Sequence, residues 1–307
     1  MAIDVYCACI TPFKKDGGFD EAAYRKHLEF LTEAGVGVYV LPQGGGEGLQ
    51  VPFRERLTIY EVAAKCIAGR VPVGAAGEGL GPSAREFVEQ AHEVQHTGVS
   101  SIQVHAPRPA YPMSAAKPAE VEGFFRDVLD ALSFDSVLSV HNGAVPGVEP
   151  RPELLRQLVD TYPHLIGVNV TVGNALYLRR IIDALKGTRA EIRVGGPQMA
   201  LECLAYGGHG ILGVEPNLVP KYMASLVADW KAGNTSRATQ KWATLMRLTE
   251  GLSKYGVPVG VKAGMNALGL PGGFVRRPYL ELDVASQADV QRVVDGLGVR
   301  EWERSVA

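Results

Sequence analysis

The chain has 307 residues, 46% hydrophobic and 21% charged, which is ample for a sizeable core. Its 31 basic and 33 acidic residues leave a formal charge of −2 with no long run of either sign. That balance provides no electrostatic footprint for nucleic acid or an anionic membrane. No apolar run is long enough to span a bilayer and no charged-then-apolar leader opens the chain, so a soluble cytoplasmic protein is expected. Cys7, Cys9, Cys66 and Cys203 lie in or beside apolar stretches without a CxxC pair, which implies buried, reduced thiols.

Short apolar strands alternate with amphipathic helices along the chain. Val5–Thr11 precedes a helix over Glu21–Ala34, and Gly37–Leu41 precedes one over Phe53–Ala68. Val71–Ala76 leads to Pro82–Thr97, Ser101–Ala106 to Pro118–Leu132, and Ser136–Asn142 to Pro152–Tyr162. Leu165–Thr171 then leads to Ala175–Lys186, Ile192–Gly195 to Gln198–Tyr206, and Gly210–Val214 to Val219–Lys231. Continuous apolar strands alternating with helices indicate a parallel sheet, and eight repeats indicate an α/β fold closed as a (β/α)8 TIM barrel. Helical patterns over Thr235–Lys254, Val257–Leu268 and Ser286–Gly296 follow. No linker divides them from the rest. The expectation is one structural unit, a barrel over 1–232 with a C-terminal helical extension over 233–307 packed on it.

Several motifs, in order and spread over nearly the whole chain, resemble the dihydrodipicolinate synthase and N-acetylneuraminate lyase superfamily of pyruvate-dependent aldolases. Thr11-Pro12-Phe13 with Asp16-Gly17-Gly18-Phe19-Asp20 resembles its opening strand and turn. Gln43-Gly44-Gly45-Gly46-Glu47 resembles its GTTGE loop, and Gly69-Arg70-Val71-Pro72-Val73 its entry to strand three. Gly207-Gly208-His209-Gly210-Ile211 with Asn217 is similar to its strand eight. The stretch from Val257-Pro258 through Lys262 and Leu268-Gly269-Leu270 to Arg276-Arg277-Pro278 is similar to its C-terminal helical region.

The departures from that pattern concern chemistry. Leu165-Ile166-Gly167-Val168-Asn169-Val170-Thr171 resembles the strand that carries the family's Schiff-base lysine, and Asn169 stands at the lysine's place. A carboxamide forms no imine, because its nitrogen lone pair is delocalised into the carbonyl. Gly44 and Gly45 replace the loop's two threonines, removing the hydroxyls while keeping the backbone N–H groups that can bind a carboxylate. A permissive turn without ligand is the plain alternative. Arg108 and Pro109 stand where the family has its relay Pro-Tyr-Tyr, with Tyr111 two residues on. Arg108 suits a carboxylate clamp and equally a solvated loop or subunit contact.

Strand alternation places Ser139 and His141 on one face of the fifth strand, and Gly167, Asn169 and Thr171 on one face of the sixth. These polar sets should point into the barrel, with His141 at the position of the family's proton-transfer tyrosine. Its unperturbed pKa near 6.5 suits acid–base work. Glu215 follows the eighth strand as a possible mouth carboxylate. His105 reads as a satisfied core histidine, Glu47 as a cap on the following turn, Lys262 as structural, and Gly77–Gly81 as a loop turn. Glu47, Glu78, His105, His141 and Glu215 lie on different strands, so their spacing specifies no metal site, and neither metal nor cofactor is expected.

Two function classes follow. The first is a lysine-independent lyase acting on a small carboxylic or 2-oxo acid by dehydration, decarboxylation or retro-aldol cleavage. His141 and Asn169 would be its catalytic residues, and Gly44, Gly45, Arg108, Thr171 and Glu215 its substrate contacts. The second is an inactive paralogue that binds a small acid or an active homologue. The resemblance implies a homodimer or homotetramer.

Overall fold

The computed structural model describes residues 3–81, 83–106, 117–141 and 149–306, with the backbone alone at His141. Eight parallel strands close into a barrel in the order β1 to β8. They are β1 (Val5–Ala8), β2 (Gly37–Val40), β3 (Val73–Ala76), β4 (Ser101–His105), β5 (Ser136–His141), β6 (Leu165–Thr171), β7 (Glu191–Gly195) and β8 (Gly210–Gly213). Between them and after β8 come α1 (Glu21–Glu33), α2 (Phe53–Ile67), α3 (Ala84–Gln95), α4 (Pro118–Ala131), α5 (Pro152–Thr161), α6 (Ala175–Leu185), α7 (Ala200–Ala205) and α8 (Pro220–Lys231). The C-terminal helices are α9 (Thr235–Ser253), α10 (Val259–Leu268), α11 (Val284–Gly296) and α12 (Val299–Ser305). The expected (β/α)8 barrel with C-terminal helices is therefore the observed fold.

The chain divides into two compact units, one of residues 1–73 and 213–307, the other of residues 74–212. In the second unit the helix starts are chemically specified. Ser83 accepts from the Glu86 N–H (3.2 Å) and Asn174 from the Tyr177 N–H (3.1 Å), each satisfying a donor that the first helical turn leaves without a partner. Helix α5 buries Leu154, Leu155, Leu158 and Val159 as one stripe. Each such aliphatic side chain contributes about 1.5–3 kcal/mol.

In the first unit, Asp20 caps α1 by accepting from the Ala23 N–H (3.1 Å), and Gly35 ends the turn beyond it at φ +70°. Helix α12 is absent from the sequence expectations. It has seven residues and only two buried ones, Val299 and Trp302, too few for a periodic signal. It nevertheless holds α8: the Glu303 carboxylate accepts from the N–H groups of Lys221 (3.2 Å) and Tyr222 (2.9 Å), and Trp302 stacks on Tyr222 at 4.8 Å.

Asn217 is the polar clamp of this unit. It is fully buried in the turn after β8. Its Nδ2 donates to the carbonyls of Ala8 (3.0 Å) and Val214 (2.7 Å), while Oδ1 accepts from the Ile10 N–H (3.0 Å) and meets His27 Nε2 at 2.8 Å. No apolar side chain replaces this set. Asn217→Leu is expected to lower the unfolding free energy by about 3 kcal/mol or more, because several buried polar groups lose their partner together. Urea denaturation checks this, and a loss below about 1 kcal/mol, one ordinary hydrogen bond, contradicts the clamp.

Candidate active site

In the second unit, backbone register sets one polar row. The Cα partners run His105↔Ser139, Ser139↔Asn169 and Asn169↔Arg193 across β4, β5, β6 and β7. Aligned residues of parallel strands share a face, so these four side chains project together. The opposite face is Val104, Leu138, Val140, Val168, Val170 and Val194, all buried. That face meets the helices, and the polar row is the inward one.

Hydrogen bonds tie the row together at Asn169. Asn169 is 3% exposed, and its Nδ2 donates to the hydroxyls of Ser139 (3.4 Å) and Thr171 (3.3 Å). Its Oδ1 is buried with no hydrogen-bond partner among the described residues. Thr171 leans over β7, where a Cβ on Gly195 would lie 1.9 Å from the threonine hydroxyl, so glycine there makes its room. His141 pairs with Thr171 through the backbone. Its side chain lies outside the described residues, as do Arg108 and Tyr111.

Two members of this row are absent from the expectations or differ from them. Arg193 is almost fully buried and ion-paired with Glu191. The alternation argument used for β5 and β6 identifies it on β7, since Ile192 and Val194 flank it. His105 is not a closed core histidine. Its Nε2 lies 3.4 Å from the Glu78 carboxylate, with the two side chains 14% and 11% exposed.

In the first unit, residues 42–46 form a single helical turn in which the Gly46 N–H donates to the Pro42 carbonyl (3.0 Å). No hydrogen bond to another described residue engages the Gly44 and Gly45 N–H groups, like the unused donors at a helix start. The two glycines differ. A Cβ on Gly45 would sit 2.7 Å from the Ala8 carbonyl oxygen, whereas one on Gly44 meets only Val257 at 3.5 Å.

Glu47 follows in the left-handed region (φ 55°) and is fully buried. It does not cap the next turn with its side chain. Instead it ion-pairs with Lys262, itself 2% exposed, and accepts from the Arg276 N–H (2.6 Å). Lys262 also donates to the Phe274 carbonyl (2.7 Å) and lies 4.7 Å from the Phe13 ring. Arg276 stacks on that ring at 4.1 Å while holding Glu55 through two hydrogen bonds of 2.7 and 2.8 Å. Burial pushes the Glu47 carboxyl up and the Lys262 ammonium down, each opposed by attraction to the other. This is a structural ion pair, as expected for Lys262.

Glu215 packs against α9, where its Oε1 accepts from the Thr249 hydroxyl (3.3 Å). Its Oε2 is buried with no partner among the described residues, and Glu215 lines a cavity of about 40 Å³ with Val214, Leu218, Leu252 and Val261. Among the described residues no group of three His, Cys, Asp or Glu side chains is placed to hold a metal ion. No helix among them is long and apolar enough to cross a membrane.

Burial raises the Glu215 carboxyl above its ordinary 4.5. The folded state therefore holds this proton more tightly than the unfolded chain does. That stabilisation is complete below about pH 4.5 and is lost as pH rises through the raised value. Glu215→Gln should accordingly gain in melting temperature over the parent as pH increases from 4.5 to 8, which paired thermal melts measure. A difference that does not vary with pH contradicts the assignment.

The dihydrodipicolinate synthetase family model matches residues 2–296. The chain is 26% identical over 298 residues to a 4-hydroxy-tetrahydrodipicolinate synthase of Methanococcus maripaludis, covering 96% of this chain and 98% of that protein. Its fold is similar to a prophage protein of the dihydrodipicolinic acid synthase family from E. coli K12, solved in complex with pyruvate. That match has a TM-score of 0.87 and 24% identity, covering 97% of this chain and 99% of that one. It is also similar to CdNal from Clostridium difficile, solved in complex with mannosamine, with a TM-score of 0.85, 18% identity and complete coverage (100%) of both chains. With the barrel, its C-terminal helices and a match spanning nearly the whole sequence, the chain belongs to the dihydrodipicolinate synthetase family.

Proposed function

We propose that this protein is a lyase for a small 2-oxo acid that works without a Schiff base. The observation that carries the reading is Asn169, an inward carboxamide on β6 at the place where the family resemblance calls for the imine-forming lysine. Its amide nitrogen is not nucleophilic. Its unpartnered Oδ1 is a buried acceptor that a ligand hydroxyl or water can satisfy, and such groups are rarely left unsatisfied. The pyruvate in the E. coli relative supports a ligand of that size and class.

In this reading the Gly44 and Gly45 N–H groups are carboxylate donors, and Thr171 and Asn169 are carbonyl contacts. Arg108 is a further proposed contact, and His141 moves the proton at the end of β5. Without an imine as electron sink, the substrate's own carbonyl oxygen takes up the charge, and hydrogen-bond donors must stabilise it there. Dehydration, loss of a carboxylate β to the carbonyl, and retro-aldol cleavage all proceed through such an enolate.

Incubation with pyruvate followed by borohydride is expected to add no mass to the protein, as read by intact mass spectrometry. A stoichiometric adduct on any lysine, Lys262 included, overturns the proposal.

Once a turnover assay exists, His141→Ala is expected to reduce kcat by about 10²–10⁴-fold, the usual contribution of a general acid or base. An unchanged kcat removes His141 from the mechanism.

A further inference from the structure

The inward row of the second unit extends one strand beyond β4. The backbone of Gly77 is pressed against β4: a Cβ there would lie 2.0 Å from the Gln103 carbonyl and 2.9 Å from the Phe87 ring of α3. Gly77 thus packs against β4 and α3, and Glu78 follows it in the turn beyond β3, which ends at Ala76. There its carboxylate meets His105 Nε2 at 3.4 Å. That contact sets the imidazole beside the carboxylate, where an Nε2–H can position it.

The geometry points to Glu78 as the base that removes a proton next to the carbonyl of a small 2-oxo acid, with His105 as its positioning residue. This rests on the imine-free reading above and deepens it. Three observations carry it. His105 is the register partner of Ser139, which in turn is that of Asn169. His105 is therefore two strand spacings, roughly 10 Å of backbone, from the carboxamide, and Glu78 meets it from the turn after β3. Glu78 and His105 are also only partly buried, at 11% and 14% side-chain exposure, whereas Glu47 is sealed at 0% with its own cation. Finally, a carboxylate is a competent base for a proton beside a carbonyl when donors stabilise the resulting oxyanion.

The step balances within the row and the substrate. The Glu78 carboxylate takes the proton, the C–H electron pair becomes the enolate double bond, and the carbonyl π pair moves to oxygen. Thr171, whose hydroxyl oxygen accepts from Asn169, has its own hydrogen left to donate to that oxygen. In exchange the proton returns from Glu78 to carbon; in an elimination His141 protonates the departing group, and solvent restores both residues.

Pyruvate in D2O is the probe, because exchange of its methyl hydrogens reports the proton step alone and is read by proton NMR. The intact protein is expected to exchange the methyl faster than buffer, and Glu78→Gln to slow this by about 10²-fold or more. An unchanged melting temperature assigns that loss to chemistry. If Glu78→Gln does not fold, Glu78→Asp, which withdraws the carboxylate, should still slow exchange. His105→Gln keeps a donor near the Nε2 position and should retain more rate than His105→Leu. Glu78 variants exchanging at the parent rate, or an intact protein with no exchange above buffer, overturn the proposal. A borohydride-trapped adduct together with Glu78-dependent exchange overturns only the imine-free reading.

Discussion

The alternation of side chains along parallel strands whose outer face is covered by helices governs the rest of this structure. One face of β4 to β7 must be apolar to pack under α3 to α6, and it is: Val104, Leu138, Val140, Val168, Val170 and Val194. The polar residues His105, Ser139, Asn169 and Arg193 are thereby directed to the other face. Register then aligns His105, Ser139, Asn169 and Arg193 as one row, which a slip of a single residue would bury against the helices. The functional reading depends on that row, because it places a carboxamide inward and a carboxylate–imidazole pair two strands away.

The first unit solves a different problem. Glu47 and Lys262 are 215 positions apart in sequence and both buried, so each must be compensated for the loss of water. The structure supplies more than the pair itself: the Arg276 N–H and the Phe274 carbonyl take further hydrogen-bonding capacity, and the Phe13 ring lies against both cations. Desolvation opposes both charges, and only a fully satisfied network makes the arrangement tolerable. Its effect is to anchor the segment around residue 276 beside the loop that begins at Gly44. A glutamate and a lysine that read as family motifs are thus held together as a buried ion pair.

Much of this was legible from sequence. Strand β6 matches its expected bounds, and the other strands differ at their ends by up to three residues. Hydrophobic runs and helical stripes carry strong local signals, and parity alone put Asn169 and Thr171 on the inward face. What escaped depends on information that one strand does not contain. His105 read as a core residue because its partner Glu78 lies in the turn after a different strand, brought near by the close packing of Gly77. Glu215 read as a mouth carboxylate, but the turn after β8 directs it to Thr249 on α9. Arg193 was recoverable by the rule applied to its neighbours, whereas α12 lacked the length for any periodic pattern.

The central claim is that a 2-oxo acid is held in this barrel without a covalent bond to the protein. A crystal structure of the protein soaked with pyruvate tests it most directly. The account predicts an unlinked pyruvate on the inward row, within hydrogen-bond distance of the Thr171 hydroxyl or the Asn169 carboxamide. Continuous electron density from the pyruvate C2 to a lysine nitrogen would contradict it.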